Sequence, residues 1–419
     1  MRILLTTRRE KAEQRNPIAL LDLAAYLREF GHYVDCYYLD QLAKLNGKWI
    51  SYDLVGLSVL QVLSEETSLK DSLYLKKKYG THTVIGGKWA QTLSEQQKGR
   101  FENEGIEVYI GQGERYFINQ SIDFESYPSW DRCDFETLQD VRADVMSTRG
   151  CPYHCHFCHN TEKKLSFFSP QRTADNIQLL FDLGVQRIFF CDDILTLRAS
   201  HMAKLYEGMK RGNIPFENRT EFFTHINHLQ SEILEWIKRF KPYQVNVGVE
   251  SGDDRMLDAM GKGFDSQTAY ERLRKLHDFT GVRIGTLFLI GFPGETEESL
   301  RNTLRFIERI RPFAGVWVSY YQPVPGTKGY QMAMERKGKI KPGRRNMSIS
   351  YVDPNLSWKT LFQYNYRMMD CSSPERLRKI WIHRFMKFAP PLLLETWRTI
   401  RQRNRLRKYM NDYLKESPG

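Results

Sequence analysis

Ser147-Thr148-Arg149-Gly150-Cys151-Pro152-Tyr153-His154-Cys155-His156-Phe157-Cys158-His159-Asn160 places three of the chain's seven cysteines within eight residues. So few and so unevenly placed cysteines do not make a disulfide framework, and the cluster reads as a metal site in a reducing compartment. Two sites suit it. Three thiolates on one loop hold three irons of a four-iron cluster and, with no fourth cysteine nearby, leave one iron open to a small molecule. Alternatively, a structural zinc takes the three thiolates with His154, His156 or His159.

Outward from this loop, the chain is α/β. Candidate strands at Val145 to Thr148, Arg187 to Cys191, Glu221 to His225, Gln244 to Gly248, Arg283 to Ile290 and Val316 to Tyr321 are spaced widely enough for a loop and a helix each, as in a partial (β/α)6 barrel. Ahead of it, Ile3 to Thr6, Val34 to Leu39, Leu54 to Leu60, Thr83 to Ile85 and Val108 to Ile110 alternate with helical stretches, which predicts a Rossmann-like doubly wound sheet. Its strand ends carry small residues, Ser58-Val59-Leu60, Gly86-Gly87 and Gly111-Gln112-Gly113-Glu114, where such folds bind ligands. The expected domains are 1–130, 131–330 and a basic helical extension, 331–419. The first is joined to the barrel through Phe124 to Trp130.

Of 419 residues, 41% are hydrophobic and 27% charged, the balance of a globular protein. No apolar run approaches the ~18 to 20 residues of a membrane-spanning helix, and Met1 opens without a basic-then-apolar leader, so a cytoplasmic location is expected. The net charge of +12 is concentrated in residues 331–419, which hold 20 basic and 7 acidic residues; the remainder is nearly neutral. This tail reads as a solvated helical face, as a lid bringing arginines to an acidic substrate, or as an attachment to a membrane surface or nucleic acid.

From about residue 144 to 330 the chain resembles the radical S-adenosylmethionine (SAM) superfamily, through the C-x-x-x-C-x-x-C spacing with an aromatic before the last cysteine. The resemblance implies that Cys151, Cys155 and Cys158 hold a [4Fe-4S] cluster whose open iron chelates SAM, and that Phe157 lies against the adenine. In the family the cluster's electron cleaves SAM to a 5′-deoxyadenosyl radical. Cys191-Asp192-Asp193 stands where a short acidic motif meets the SAM amino group, although helix capping is an alternative use of either aspartate. Glu250, in Val247-Gly248-Val249-Glu250-Ser251-Gly252, matches the ribose-binding glutamate, with a plain ion pair as its alternative. Phe288 to Thr296, with Ile290, matches the segment that packs on the adenine; Glu295 and Thr296 suit a helix start. Tyr321 to Thr327 matches a later family segment.

The first domain resembles the cobalamin-binding domain of one radical SAM subfamily, through Pro17 to Leu27 followed by Gly31-His32, and through Ser58, Leu60, Gly86, Gly87 and Gly111, which would line cobalamin. No D-x-H-x-x-G follows the first strand, so that motif supplies no histidine to the cobalt. A methylthiotransferase would bring three more cysteines in its first domain, where only Cys36 and Cys133 stand; Cys371 is alone. The leading expectation is a cobalamin-dependent radical SAM methyltransferase acting at an unactivated carbon of a small or peptide-derived metabolite, with a low-potential electron donor such as flavodoxin or ferredoxin. The alternatives are a non-methylating radical SAM reaction (dehydration, epimerisation, rearrangement or aminocarboxypropyl transfer) with the first domain as scaffold, and a zinc-containing nucleic-acid-binding protein. No catalytic side chain is identified from the sequence.

Overall fold

Strand β1 (Arg2–Thr7) buries Ile3, Leu4 and Leu5 almost completely. Burial of successive residues, which point to opposite faces, means helices on both sides, as a parallel sheet requires. The computed structural model bears this out, describing residues 1–9, 17–44, 51–59, 65–118, 121–132, 142–159, 163–340 and 349–370. Helix α1 (Ile18–Glu29), β2 (Tyr33–Tyr38), α2 (Leu39–Lys44), β3 (Leu54–Ser58), α3 (Glu65–Tyr79), β4 (His82–Gly86), α4 (Glu95–Asn103), β5 (Glu107–Val108) and α5 (Gly113–Phe117) follow in order. The sheet is parallel with order β2-β1-β3-β4-β5, so the strand order reverses between β1 and β3. Among the ends expected at the ligand edge, β3 stops at Ser58, and Leu60 lies outside the described residues.

The second sheet is parallel in simple sequential order. It comprises β6 (Arg142–Val145), then, after a small two-stranded element of β7 (Thr148–Arg149) and β8 (Ser166–Phe167) and helix α6 (Pro170–Asp182), β9 (Arg187–Phe190), α7 (Ala199–Arg211), β10 (Thr220–His225), α8 (Ser231–Phe240), β11 (Gln244–Glu250), α9 (Asp254–Ala259), α10 (Ser266–Thr280), β12 (Ile284–Ile290), α11 (Glu297–Ile310) and β13 (Ala314–Tyr320). Among the described residues β13 and β6 do not pair, leaving a six-stranded open barrel. The first strand lies three residues earlier than expected, because Ser147 and Thr148 leave it to start the cysteine loop. Along β12, Ile284, Thr286, Phe288 and Ile290 are buried against the helix layer, while Gly285, Leu287 and Leu289 alternate with them on the partly open inner face.

One hydrophobic core runs through both halves. Leu20, Leu21 and Ala24 of α1 belong to the same cluster as Trp130, Ala143, Val145, Ala174 and Ile177 at the barrel's first strand and helix. Trp130 fixes this junction, its backbone N–H donating to Asn176 Oδ1 (2.7 Å) and its indole to Asp22 Oδ1 (2.8 Å).

Past β13 the structure departs from a purely helical extension. Helix α12 (Lys328–Glu335) crosses the boundary expected at 330, and β14 (Lys339–Ile340) pairs antiparallel with β15 (Tyr351–Val352). Helix α13 (Trp358–Asp370) packs on β13 and α11, burying Leu361, Tyr364, Met368 and Met369, so it is a wall of the barrel and not a cover for its mouth. Residues 371–419, with most of the basic tail, lie outside the described residues. Among the described residues no helix is long and apolar enough to cross a membrane.

Candidate active site

The cysteine loop springs from the carboxyl end of β6, and Asp192 holds its root. This carboxylate is wholly buried and accepts from the Ser147 backbone N–H (3.2 Å to either oxygen), Ser147 Oγ (2.8 Å) and Thr148 Oγ1 (2.5 Å). Burial pushes its pKa up to about 6 against those donors. Asp192 thus ties the end of β9 to the loop root, its carboxylate facing protein donors. Its neighbour Asp193 is exposed and close enough to Cys151 to raise that thiol's pKa, although burial is the larger cause.

The loop is docked by its aromatic residues. Tyr153 stacks on His225 at the end of β10, ring centroids 4.0 Å apart and 16° from parallel, and its hydroxyl lies 3.1 Å from His228 Nε2. His156 is engaged on every side: its backbone N–H donates to Met260 O (2.9 Å), its carbonyl accepts from Gly329 N (2.7 Å), Nδ1 lies 2.7 Å from Ala259 O, and Nε2 lies 3.2 Å from Lys328 Nζ. An Nδ1 hydrogen-bonded to a carbonyl carries the proton, so with Nε2 facing an ammonium His156 is poorly placed to complete a zinc site. Phe157 joins Met256, Met260, Leu289, Phe292 and Tyr321 in a small apolar cluster on the inner face. Ile290, by contrast, faces the helix-side core with no exposure, and its carbonyl accepts from Tyr321 N (2.8 Å). Strand alternation puts its neighbour Leu289 on the inner face, in the cluster with Phe157. Thr296 N-caps α11, and Glu295, buried and accepting from Gly291 N, is a helix-start residue with its pKa pushed to about 8 by burial.

Cys151, Cys155 and Cys158 are in no disulfide. Among the described residues no three His, Cys, Asp or Glu side chains converge as a metal-holding group, these cysteines included. The donor set nevertheless fits a four-iron cluster, because three soft sulfurs lie on one loop, near enough for Cys155 and Cys158 each to raise the pKa of Cys151. Burial raises the Cys155 thiol and Lys262 opposes it.

Lys262 is the residue that the sequence reading missed. Only 3% exposed, it lies 3.4 Å from Glu250 Oε1 and 5.8 Å from the Phe157 ring centroid. Gly261 and Gly263, both at φ +68, flank it, and this Gly-Lys-Gly run was the available signal for a turn aiming a cation inward. Glu250 itself sits at a bulge in β11 with φ +73, a rare conformation for a side-chain-bearing residue. Its carboxylate folds back over Gly248, where an added Cβ would stand 2.6 Å from Oε1. Burial raises the Glu250 pKa and Lys262 opposes that shift.

The first domain meets the root of the cysteine loop beyond the carboxyl end of its sheet, where Glu114 accepts from Arg149. Ser58 O accepts from Thr7 Oγ1 (2.8 Å), and Gly86 O accepts from Val59 N (3.0 Å). Gly87, at φ +94, lets the turn close on β3: an added Cβ would stand 2.6 Å from Val59 O. Gly111, at φ +154, is similarly close to the Tyr109 hydroxyl, whereas a Cβ on Gly86 would have 3.6 Å to its nearest neighbour. Lys88, next along the turn, is near enough to His159 and Cys191 to lower both pKa values, although burial dominates each, lowering that of His159 and raising that of Cys191. Lys88, beyond β4, thus lies near His159 of the cysteine loop and near Cys191 after β9.

Residues 145–307 match the radical SAM superfamily. An uncharacterized methyltransferase of Pyrococcus horikoshii is 25% identical over 282 residues, 64% of this chain and 56% of that protein. The ribosomal protein uS12 methylthiotransferase RimO of Crocosphaera subtropica is 26% identical over 274 residues, 61% of each. The chain thus spans little more than half the length of these curated relatives. TsrM of Kitasatospora setae, a radical S-adenosylmethionine methyltransferase solved with cobalamin and a [4Fe-4S] cluster bound, is similar in fold with a TM-score of 0.70 at 16% identity, covering 90% of this chain and 92% of that one. A three-cysteine loop at the mouth of a six-stranded open barrel agrees with the family match, which spans β9 to β12 and begins at the last residue of β6: residues 145–307 of this chain match the radical SAM superfamily.

Proposed function

We propose that this chain is a cobalamin-dependent radical SAM methyltransferase acting at an unactivated carbon of a small or peptide-derived metabolite, and that it takes electrons from a low-potential donor of the flavodoxin or ferredoxin kind. The observation that carries the reading is that the cysteine loop meets the first domain beyond the carboxyl end of its sheet, Arg149 Nη1 donating to Glu114 Oε1 (2.8 Å) and Lys88 lying near His159. When bound, a [4Fe-4S] cluster supplies the electron for cleaving SAM, and cobalamin supplies methyl-transfer chemistry. Cys151, Cys155 and Cys158 would hold the cluster. Glu250, Lys262 and Asp193 present two carboxylates and an ammonium beside it, suited to a ligand with ammonium, carboxylate and ribose hydroxyl groups. Ser58, Gly86, Gly87 and Gly111 would line the cobalamin. The relatives named as methyltransferases support methyl transfer. Against methylthiotransfer, Cys36 is fully buried in the core and is no ligand for a second cluster.

Anaerobic reconstitution followed by metal analysis and visible spectra, with and without cobalamin, tests the reading. Iron and cobalamin retained together, with loss of iron in Cys151→Ala, Cys155→Ala and Cys158→Ala, is the expected result. Stoichiometric zinc without iron refutes it. Iron without cobalamin, and no label transferred from methyl-labelled SAM, turns the reading to a non-methylating radical reaction.

A further inference from the structure

A buried polar network joins the two halves of the protein two residues before the first cysteine. Arg149 Nη1 donates to Glu114 Oε1 at 2.8 Å, and Nη2 lies 3.5 Å from Asp22 Oδ2. Glu114, 3% exposed, also accepts from the Tyr127 hydroxyl at 2.7 Å. Asp22, 1% exposed, accepts from the Trp130 indole at 2.8 Å and from Arg172. Arg172 donates in turn to Pro128 O (3.0 Å) and Met146 O (3.2 Å), its guanidinium 3.9 Å from the Phe168 ring centroid. Asp22 and Glu114 belong to the first half, and Arg149 and Arg172 to the barrel. Two carboxylates face two guanidiniums, so the network is neutral as a whole, and loss of any one member leaves a buried charge without its counterpart. Burial opposes ionisation of Glu114, yet Arg149 and the Tyr127 hydroxyl outweigh it and hold this carboxyl below its ordinary range.

The network bears on the cysteine loop through its backbone. Ser147 and Thr148 are held from the barrel side by Asp192. Arg149 is held from the other side by Glu114 and Asp22, and Gly150, at φ +95, then turns the chain sharply into Cys151. A planar guanidinium reaches two carboxylates only from a narrow range of backbone positions, so its partners constrain where Cys151 starts. Glu114 lies at the start of α5, directly after Gly111-Gln112-Gly113 at the ligand edge of the first sheet.

We infer that Glu114, acting through Arg149, is a positioning residue for the Cys151 limb of the cluster loop, so that the first domain fixes where the cluster meets SAM. This rests on the radical SAM reading above. In its consequence, Glu114→Gln and Arg149→Lys leave the three thiolates intact and able to hold iron, but weaken the placement of SAM on the cluster.

The experiment is a SAM titration of the reduced, reconstituted full chain, read from the change that SAM causes in the cluster's electron paramagnetic resonance spectrum, with iron content and thermal unfolding as controls. Each single variant is expected to raise the half-saturating SAM concentration about tenfold, and the double variant Glu114→Gln/Arg149→Lys to be no worse than the worse single one, because the two act as one unit. Single variants that titrate like the wild type, or effects that multiply in the double variant, overturn the inference. Should either variant fail to hold iron, Tyr127→Phe removes only the hydroxyl that orients Glu114 and keeps the ring. About a threefold shift is then expected, and an unchanged titration overturns the inference. A wild type that binds neither iron nor SAM refutes the functional reading itself, which separates the two failures.

Discussion

Asp192→Asn should show a pH signature that isolates the buried carboxylate at the loop root. In the folded chain the Asp192 pKa is raised to about 6 by burial, against an ordinary value of 3.8. Below pH 3.8 the group is neutral in both the folded and unfolded chains and has no pH effect. Between 3.8 and 6 the folded chain binds the extra proton, so the stability associated with this group falls as pH rises and is fully lost above about 6. The difference of about two units corresponds to roughly 3 kcal/mol at about 1.4 kcal/mol per unit. Asparagine keeps the shape without the titration. Urea unfolding of metal-free wild type and Asp192→Asn at several values from pH 3.5 to 7 gives the measurement, and contributions from other groups, Glu295 among them, cancel in the difference. The variant should gain about 3 kcal/mol on the wild type across this range. A difference that stays within about 1 kcal/mol from pH 3.5 to 7 would refute the reasoning, since it would mean that Asp192 does not ionise in a buried site.

Glu250→Gln should retain iron yet bind SAM at least tenfold more weakly, because it removes a carboxylate and leaves the buried Lys262 ammonium uncompensated; unchanged affinity in the same resonance titration returns Glu250 to a purely structural role. Gly87→Ala should lower stability by about 2 to 4 kcal/mol, as an added Cβ meets Val59 O and a side-chain-bearing residue disfavours positive φ; thermal unfolding of the metal-free chain checks it. Truncation before Trp358 should destabilise the barrel by at least about 6 kcal/mol, since Leu361, Tyr364, Met368 and Met369 leave the core, and soluble, fully folded truncated protein would contradict the packing of α13 on β13.

Much of this molecule was legible without coordinates. All five strands of the first sheet and all six of the barrel follow from short apolar runs at regular intervals, since period and spacing are local properties of the chain. The cysteine loop was equally plain, because its three thiols are neighbours in sequence. What stayed hidden depends on where a side chain points. Ile290 and Leu289 are adjacent and both apolar, and only the pleat of β12 assigns one to the core and the other to the inner face. Asp192 and Asp193 look interchangeable, yet one is wholly buried against Ser147 and Thr148 and the other is exposed beside Cys151.

The sequence by itself therefore determined the fold class and the resemblance of residues 145–307 to the radical SAM superfamily, which rest on periodicity and on residues close along the chain. Tertiary structure alone decided the pairing of Glu250 with Lys262, the approach of Lys88 to His159, and the meeting of Asp22 and Glu114 with Arg149 and Arg172. The physical reason is distance along the chain: Arg172 stands 150 residues from Asp22, and no local pattern records that a buried guanidinium and a buried carboxylate so far apart are each other's counter-charge.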